Sequence, residues 1–183
     1  MTPAENARRL ARRLRRAASE GVRVYNPSDL IIRNASTADH QAISLLCAQV
    51  DALHVHSRPD AFQGPPRTRS IAFPRERLAE ADAAVFVADI GGAVVGFARV
   101  KLGRPPGDAM YRPRVFAYVE EVVVSSDHRR LGVGRALMHA LEGWARERKV
   151  DQIELTVWEF NEEARKFYES LGYATSYRRM FRT

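Results

Sequence analysis

Apolar residues recur along the chain either at every second position or at every third to fourth, and these two periods predict strands and helices. Residues 30–32 are all apolar and predict a short buried strand. Ser36-Thr37-Ala38-Asp39 matches a capping box and predicts that a helix begins there and ends near His56. The apolar stripe of this helix consists of Ile43, Leu46, Val50 and Leu53. We therefore expect the folded part of the chain to begin near Asp29.

Two irregular stretches, residues 57–73 and 103–113, separate the later elements. Gly91-Gly92 between two apolar runs predicts a hairpin. The predicted elements are, in chain order, a helix over 74–78, strands over 85–88, 94–102 and 115–124, a helix over 131–149, a strand over 153–158, a helix over 162–171 and a last strand over 173–181. This order, a strand meander followed by a β-α-β unit, predicts a single α/β (α+β) domain with a mixed central sheet and helices on both faces.

Composition indicates a soluble globular protein with one domain. The chain has 183 residues, of which 45% are hydrophobic and 28% charged. The sequence has no run of about 18 apolar residues, so no membrane helix and no membrane partner are expected. Cys47 is the single cysteine, which excludes an internal disulfide and a cysteine-rich zinc site. Because the start of the sequence lacks an apolar secretory signal, a cytoplasmic location is expected.

The net charge of +7 is concentrated in the first 28 residues. This segment holds seven arginines against two glutamates, whereas residues 29–183 hold 22 basic and 20 acidic residues. We therefore expect a basic N-terminal extension over 1–28 and a folded domain over 29–183, with no nucleic-acid partner for the domain. The extension has a thin apolar stripe at helical spacing. It is either a marginal helix without a function or a basic arm for an anionic surface.

One stretch, Arg129-Arg130-Leu131-Gly132-Val133-Gly134, has the pattern of an anion site. It lies between a predicted buried strand and the start of a long helix. Its two glycines let the backbone approach a bulky anion, and the amides and dipole of the helix favour negative charge there. A Walker A loop needs four residues between its glycines and a following lysine, and a dinucleotide loop needs a third glycine where Leu137 stands. Alone, the pattern predicts either a diphosphate cradle or a tight strand-to-helix turn.

In its context, the stretch from Arg129 to Gly134 resembles the first signature of the GNAT superfamily, the acyl-CoA-dependent N-acetyltransferases. That signature is arginine or glutamine, two residues, glycine, one residue and glycine at the start of a helix. Residues 161–173, NEEARKFYESLGY, resemble the second signature of the family nearly residue for residue. The resemblance runs from Ile32-Arg33-Asn34-Ala35 to the C-terminus and does not cover residues 1–28.

The resemblance implies a coenzyme A cleft between two parallel strands, those over 115–124 and 153–158, which splay apart at one end. Pantetheine is then expected to pair with free backbone groups of the first strand, at Val122, Val123 and Val124. The diphosphate is expected on the loop and helix start, which comprise Arg129, Arg130, Leu131, Gly132, Val133, Gly134 and Arg135. The resemblance implies that Asn161 bonds the pantetheine arm, and its alternative role is the N-cap of the following helix.

The resemblance also implies two catalytic side chains. Tyr168 matches the tyrosine that protonates the departing thiolate, since a phenol of pKa about 10 can donate to a thiolate whose conjugate acid has a pKa of about 8.5. Its alternative role is a core aromatic, which Phe167 fits better. Glu120 falls where many members carry the base that deprotonates the amine, and a structural ion pair with an arginine is its alternative role. Glu121 is the second candidate, and strand alternation predicts that the two glutamates lie on opposite faces.

The resemblance therefore implies an N-acetyltransferase that moves the acetyl group of acetyl-CoA to a primary amine by direct attack in a ternary complex. The alternative is a non-catalytic acyl-CoA-binding sensor or scaffold, which has no need for Tyr168 and a strand carboxylate together. No metal is expected, because His54 and His56 lack further ligands and are interpreted as a solvated helix end. A homodimer is left open, since dimers are common in the family.

Charge predicts the class of acceptor. By analogy with relatives, residues 57–73 and 103–114 border the acceptor side, and each stretch carries three arginines against one aspartate. Like charges disfavour a polyamine or an aminoglycoside there. An amine that bears a carboxylate, such as an amino acid or an acidic peptide end, is therefore predicted, held in part by an arginine. The alternative is that these arginines are solvated or contact the cofactor.

Overall fold

A mixed sheet and the helices packed on it form the part of the chain that the computed structural model describes, residues 29–63, 78, 80–107 and 110–182. The strands are β1 (Leu30–Asn34), β2 (Ala83–Ile90), β3 (Ala93–Gly103), β4 (Phe116–Val124) and β5 (Ile153–Leu155). The helices are α1 (His40–Ser57), α2 (Val133–Glu147) and α3 (Glu162–Glu169), and short 3₁₀ turns cover Thr37–Asp39 and Ser126–His128. The predicted extension over 1–28 and the predicted helix over 74–78, apart from Leu78, lie outside the described residues.

The five strands lie side by side in chain order. The pairs β1–β2, β2–β3 and β3–β4 are antiparallel, and β5 pairs with β4 in parallel. The hairpin predicted at Gly91-Gly92 is present, and both glycines have positive φ, 60° and 86°, as a two-residue primed turn requires. The prediction of a single α/β domain with a mixed sheet is therefore confirmed.

Helices cover both faces of the sheet, as predicted. We call one face the α2 face, because Leu137 and Leu141 of α2 lie there in a buried cluster with Val100 and Val119. α3 adds apolar side chains to the same cluster. We call the opposite face the α1 face, where α1 covers the second cluster. Its members are Ile43, Leu46, Cys47, Val85, Val87, Phe97 and Val123.

α1 is preceded by the capping box predicted from the sequence. Ser36 Oγ accepts a hydrogen bond from Ala38 N at 3.3 Å, and Asp39 Oδ2 accepts one from Ser36 N at 2.7 Å. Arg33 of β1 donates to both carboxylate oxygens of Asp39 and to Asp89 of β2. This ion-pair network holds the start of α1 against the first two strands.

The parallel pair of β4 and β5 is short and leaves an opening in the sheet. The paired residues are 117–119 of β4 and 153–155 of β5, whereas β4 continues to Val124. Tyr118 Oη and Thr156 Oγ1 lie 3.0 Å apart at the end of the paired part. We call the space beyond this point, where β4 continues without β5, the β4–β5 opening. It agrees with the predicted splay of the two parallel strands.

Two strand predictions are wrong. β5 covers residues 153–155 and not 153–158, because within the described chain the residues after Leu155 no longer pair with β4. Residues 173–182 are irregular, so the last strand predicted over 173–181 is not formed. The large apolar side chains of this segment stay in solvent, since Tyr177, Met180 and Phe181 are 78%, 85% and 69% exposed. Alternation favours a strand only where a neighbouring edge is there to pair with it.

Candidate active site

The predicted anion loop forms the start of α2. Gly132 has φ +88° and Arg130 has φ +64°, so the chain turns sharply before the helix. Ala136 N donates to Gly132 O at 3.0 Å, and the amides over 133–135 precede this first bond of the helix. Amides of this kind, with the positive end of the helix dipole behind them, favour an anion. The geometry suits a diphosphate.

A close packing contact, which the sequence does not reveal, also favours glycine at position 134. A Cβ at this position would lie 3.2 Å from Cζ of Phe167, which is closer than ordinary van der Waals contact. The missing side chain therefore lets α3 pack closely against the first turn of α2. The predicted role of Gly134 in backbone approach to an anion stays a prediction beside this packing role.

Arg129 connects the anion loop to two neighbouring elements. Its Nη1 lies 3.4 Å from Glu163 Oε2 of α3, and its Nε donates to Val124 O of β4 at 3.5 Å. Burial lowers the pKa of the adjacent His128, with the charge of Asp127 opposing the shift. Burial thus favours the neutral form of His128, and the arginines carry the positive charge around the loop.

Asn161 caps α3. Its Oδ1 accepts a hydrogen bond from Ala164 N at 3.1 Å, so the alternative role given by the sequence is present. The side-chain amide group is not used by this bond. The contact of Asn161 with pantetheine stays a prediction.

Tyr168 lies on the α2 face between two other aromatic rings. Its ring centroid is 5.2 Å from that of Phe167 and 5.9 Å from that of Tyr173. Burial raises the pKa of Tyr168 to about 12, and Tyr173 adds to the shift. The phenol therefore keeps its proton throughout the neutral range, which is the state that a proton donor requires. Its catalytic role stays a prediction.

The three valines at the end of β4 lie beside the β4–β5 opening. Val122 and Val124 pack against the α2 face, and Val123 is buried on the α1 face. Their strand neighbours on the other side are in β3, at Ala98, Phe97 and Gly96. In the described chain, the edge of β4 that faces the opening has no strand partner at these residues. Its backbone groups are thus placed where the predicted pantetheine contacts require them.

A β-bulge interrupts β4 at the two glutamates. Arg99 of β3 is opposite Glu121, and the next residue, Val100, is opposite Val119. Glu120 is therefore the extra residue of the bulge. Because a bulge breaks the two-residue period of the strand, simple alternation does not hold across it.

Both glutamates consequently lie on the α1 face. Glu121 comes two residues before Val123, which is buried on that face. Glu120 forms an ion pair with Arg99, and Arg99 comes two residues after Phe97, which is also buried there. The prediction that Glu120 and Glu121 lie on opposite faces is wrong, and the bulge is the reason.

Glu120 is held by two cationic side chains of β3. Its carboxylate pairs with Arg99 and lies 2.7 Å from Lys101 Nζ. Arg99 is 2% exposed and also pairs with Glu80. The ion pair with an arginine, which the sequence left as the alternative for Glu120, is therefore present. The role of Glu120 as a base stays a prediction.

An aromatic cluster beside the opening was missed by the sequence interpretation. The ring centroid of His54 is 5.1 Å from Phe62, 6.4 Å from Trp158 and 5.7 Å from Phe160. The interpretation of His54 as part of a solvated helix end is wrong, because other aromatic rings surround it. The four rings come from two parts of the chain, residues 54–62 and 158–160, that are far apart in the sequence, so no local pattern could have revealed the cluster.

Two absences apply to the described ranges. Each helix within them is too short or too polar to cross a membrane. The same ranges contain no group of three histidine, cysteine, aspartate or glutamate residues placed to bind a metal ion.

The chain belongs to the acetyltransferase (GNAT) family, whose model matches residues 48–173, and it is therefore an acyltransferase. It is similar to the L-amino acid N-acetyltransferase AaaT of Escherichia coli (strain K12). The two are 31% identical over 158 residues, which cover 80% of this chain and 83% of the relative.

Solved structures have the same fold. A tetramutant of the BH1408 protein from Bacillus halodurans matches with a TM-score of 0.79 and 28% identity, covering 84% of this chain and 99% of that chain. The aminoglycoside N-acetyltransferase AAC(6')-Iy in complex with CoA matches with a TM-score of 0.67 and 20% identity, covering 84% of this chain and 93% of that chain. At 20% identity the second likeness shows the fold alone.

Proposed function

We propose that this protein acetylates the primary amine of a carboxylate-bearing acceptor, an L-amino acid or a peptide end, with acetyl-CoA as donor. The observation that carries the proposal is the β4–β5 opening. The opening lies between two faces of the sheet. The α2 face carries the anion loop and Tyr168, and the α1 face carries the two glutamates. The name of the relative AaaT, an L-amino acid N-acetyltransferase, supports an amino acid as the acceptor. A cytoplasmic location is part of the proposal.

The residues at the start of α2 fit coenzyme A. The amides over 133–135 and the turn at Gly132 suit a diphosphate, and Arg130 and Arg135 add positive charge close to it. Backbone groups over 122–124 face the opening, where the pantetheine arm would lie. Asn161, with its amide group unused by the cap, would bond that arm.

Bound acetyl-CoA supplies a thioester whose carbonyl carbon the acceptor amine attacks. A backbone amide at Val122 or Val123 polarises the carbonyl oxygen. Glu120 accepts a proton from the amine nitrogen, which becomes the amide nitrogen of the product. Tyr168 donates its phenolic proton to the sulfur as the carbon–sulfur bond breaks. The two groups lie on opposite faces of the sheet, so amine and thioester meet inside the opening.

Two of the arginines on which the predicted acceptor class depends already form ion pairs. Arg58 donates two hydrogen bonds of 2.7 Å to Asp60, and Arg114 pairs with Glu154 at 2.5 Å. Arg104 and Arg112 are the other described arginines in the two stretches that are predicted to border the acceptor side. The carboxylate of the acceptor is therefore proposed to lie near Arg104 or Arg112.

A panel of amines tests the proposal. The purified protein is incubated with acetyl-CoA and, separately, L-amino acids, a dipeptide, spermidine and an aminoglycoside. Free thiol release and the mass of the product are measured. Acetylation of an amino acid or peptide is expected, with no thiol release when the acceptor is omitted. Tight binding of coenzyme A without acetylation of any amine would instead support the non-catalytic sensor or scaffold.

A further inference from the structure

The aromatic cluster of His54, Phe62, Trp158 and Phe160 lies outside the machinery described above. We propose that it binds the side chain of the acceptor and selects acceptors with an aromatic or large aliphatic side chain. This inference rests on the proposed function, because it concerns the acceptor of the same reaction. The cluster would determine specificity and would not take part in the catalytic steps.

The cluster is built from rings that contact one another in tilted and edge-on arrangements. Phe62 and Trp158 are 5.3 Å apart between centroids, and Trp158 and Phe160 are 6.0 Å apart. His54 contacts all three other rings. Trp158 remains 41% exposed, so the cluster presents an indole surface that a further apolar group can cover.

The cluster lies where an acceptor would enter the β4–β5 opening. Trp158 comes two residues after Thr156, whose hydroxyl meets Tyr118 Oη where the pairing of β4 and β5 ends. His54 belongs to the last turns of α1, which covers the face of the sheet that carries Glu120. The cluster therefore connects the end of α1 to the segment after β5, on the side of the opening from which Glu120 would accept a proton.

Charge around the cluster disfavours a cationic side chain. The guanidinium of Arg58 lies 5.6 Å from the ring centroid of Trp158 and 4.8 Å from that of Phe181. It therefore already occupies the cation-binding position over the indole ring. A second positive charge at the same ring would be repelled by Arg58. Asp60 balances the charge of Arg58, so the surroundings do not attract an acidic side chain either.

Since the surroundings of the cluster favour neither a cationic nor an acidic side chain, an uncharged apolar side chain fits it best. Covering the exposed indole removes apolar surface from water, which stabilises the bound acceptor. A hydrophobic pocket discriminates by roughly 10- to 200-fold in kcat/KM for one methylene group of the substrate. We therefore expect kcat/KM for L-phenylalanine or L-leucine to exceed that for L-alanine at least tenfold.

The experiment measures kcat/KM for L-phenylalanine, L-leucine and L-alanine, with L-lysine and spermidine for comparison, on the wild-type chain and on three variants. In Trp158→Ala, the preference for L-phenylalanine over L-alanine is expected to fall at least tenfold, with kcat/KM for L-alanine and the affinity for coenzyme A unchanged. Tyr177→Ala is the matched control, because Tyr177 is an exposed aromatic residue outside the cluster. It is expected to keep the preference of the wild-type chain. His54→Leu removes the ring that contacts the other three. It is expected to lower the preference as well, and it takes the place of Trp158→Ala if that variant does not fold.

The possible results separate this inference from the proposed function. Equal kcat/KM for the three amino acids would overturn the aromatic subsite and leave the enzyme class and the amino acid acceptor in place. A preference for L-lysine or spermidine would overturn the charge argument at Arg58. Binding of coenzyme A with no acetylation of any amine would overturn the proposed function and the inference together. A preference that survives in Trp158→Ala, or in His54→Leu where Trp158→Ala does not fold, would overturn the role of the cluster.

Discussion

Burial gives Tyr168 the property that its predicted role requires. A buried phenoxide is costly, so the pKa rises to about 12, well above the pKa of about 8.5 of a free thiol. The phenol is then fully protonated wherever the thiolate forms. The same burial makes the phenol a weak acid, so its donation depends on a short distance to the sulfur.

Replacing Tyr168 by phenylalanine removes the proton and keeps the ring. We expect Tyr168→Phe to lower kcat about 100-fold, with the affinity for coenzyme A little changed. Because the folded-state pKa is raised, the phenol stays protonated as pH rises, and the wild-type kcat is not expected to fall from its ionisation below pH 10. Steady-state kinetics from pH 6 to 10 and calorimetry with coenzyme A measure both effects. An unchanged kcat would remove Tyr168 from the mechanism.

Glu120 and Glu121 both lie on the α1 face, so their position on the sheet does not decide which of them is the base. We expect Glu120→Gln to lower kcat at least tenfold at neutral and acidic pH. At higher pH kcat should recover in part, because more of the acceptor amine has then already lost its proton. Arg99 keeps its pair with Glu80 in this variant, so the fold is expected to persist. Glu121→Gln is the control, with kcat close to that of the wild type. Loss of activity in Glu121→Gln alone would make Glu121 the base.

At the scale of elements, Arg33 connects β1, the start of α1 and β2 through two aspartates. Asp39 is 6% exposed, and the hydrogen bonds from Arg33 are the main cause that lowers its pKa to about 2. Hydrogen bonds from Ser36 lower it further, and desolvation opposes the shift. An ionised Asp39 therefore stabilises the junction of the three elements.

We expect Asp39→Asn to lower the free energy of unfolding at pH 7 by about 2 kcal/mol, allowing for the partial exposure of Arg33. The folded-state pKa lies below the unfolded value of 3.8. The stabilisation is thus complete above that value and is lost as pH falls towards 2. Urea unfolding at pH 7 and at pH 3 measures it, and the difference between wild type and variant should shrink at pH 3. Asp60→Asn is the control, because the pair with Arg58 is exposed and is expected to contribute little. Equal stability of Asp39→Asn and wild type at pH 7 would contradict the role of the junction.

The contact between α2 and α3 gives Gly134 two functions that one variant can separate. We expect Gly134→Val to weaken coenzyme A binding at least tenfold, about 1.4 kcal/mol, because the side chain obstructs the approach of the diphosphate. It should also lower the melting temperature, since the new side chain meets Phe167. Adding Phe167→Leu should recover part of the stability and none of the affinity. Calorimetry that finds unchanged affinity in a folded Gly134→Val protein would contradict the diphosphate site.

Elements with local signals could be predicted from the sequence, and those that depend on distant partners could not. The hairpin at Gly91-Gly92, the capping box before α1 and the amphipathic helices each follow from residues within one or two turns. The length of β5 and the state of residues 173–182 depend on a neighbouring edge that the sequence does not reveal. The bulge at Glu120 follows from a register between β3 and β4, and alternation within β4 does not predict it.

At the scale of the whole molecule, the sheet separates the two halves of the proposed reaction. The anion loop and Tyr168 lie with α2 and α3 on one face, and the glutamates and the aromatic cluster lie with α1 on the other. The two family signatures belong to the α2 face, where the cofactor is proposed to bind. Each is one continuous stretch of sequence, so both could be recognised in the sequence. The acceptor half is assembled from α1, β3, β4 and the segment after β5, which explains why its rings were missed.

The distribution of charge over the molecule leads to the last prediction, which concerns the class of acceptor. The two arginine-rich stretches that are predicted to border the acceptor side disfavour a ligand with several ammonium groups. We expect kcat/KM for an L-amino acid to exceed that for its amide at least tenfold, and to exceed that for spermidine by more. The amide keeps the amine and the side chain and removes only the carboxylate charge, so it is the matched control. Raising the salt concentration should reduce the difference, because screening weakens the attraction between the arginines and the carboxylate. A preference for spermidine would contradict the charge argument, and the family and its reaction class would remain.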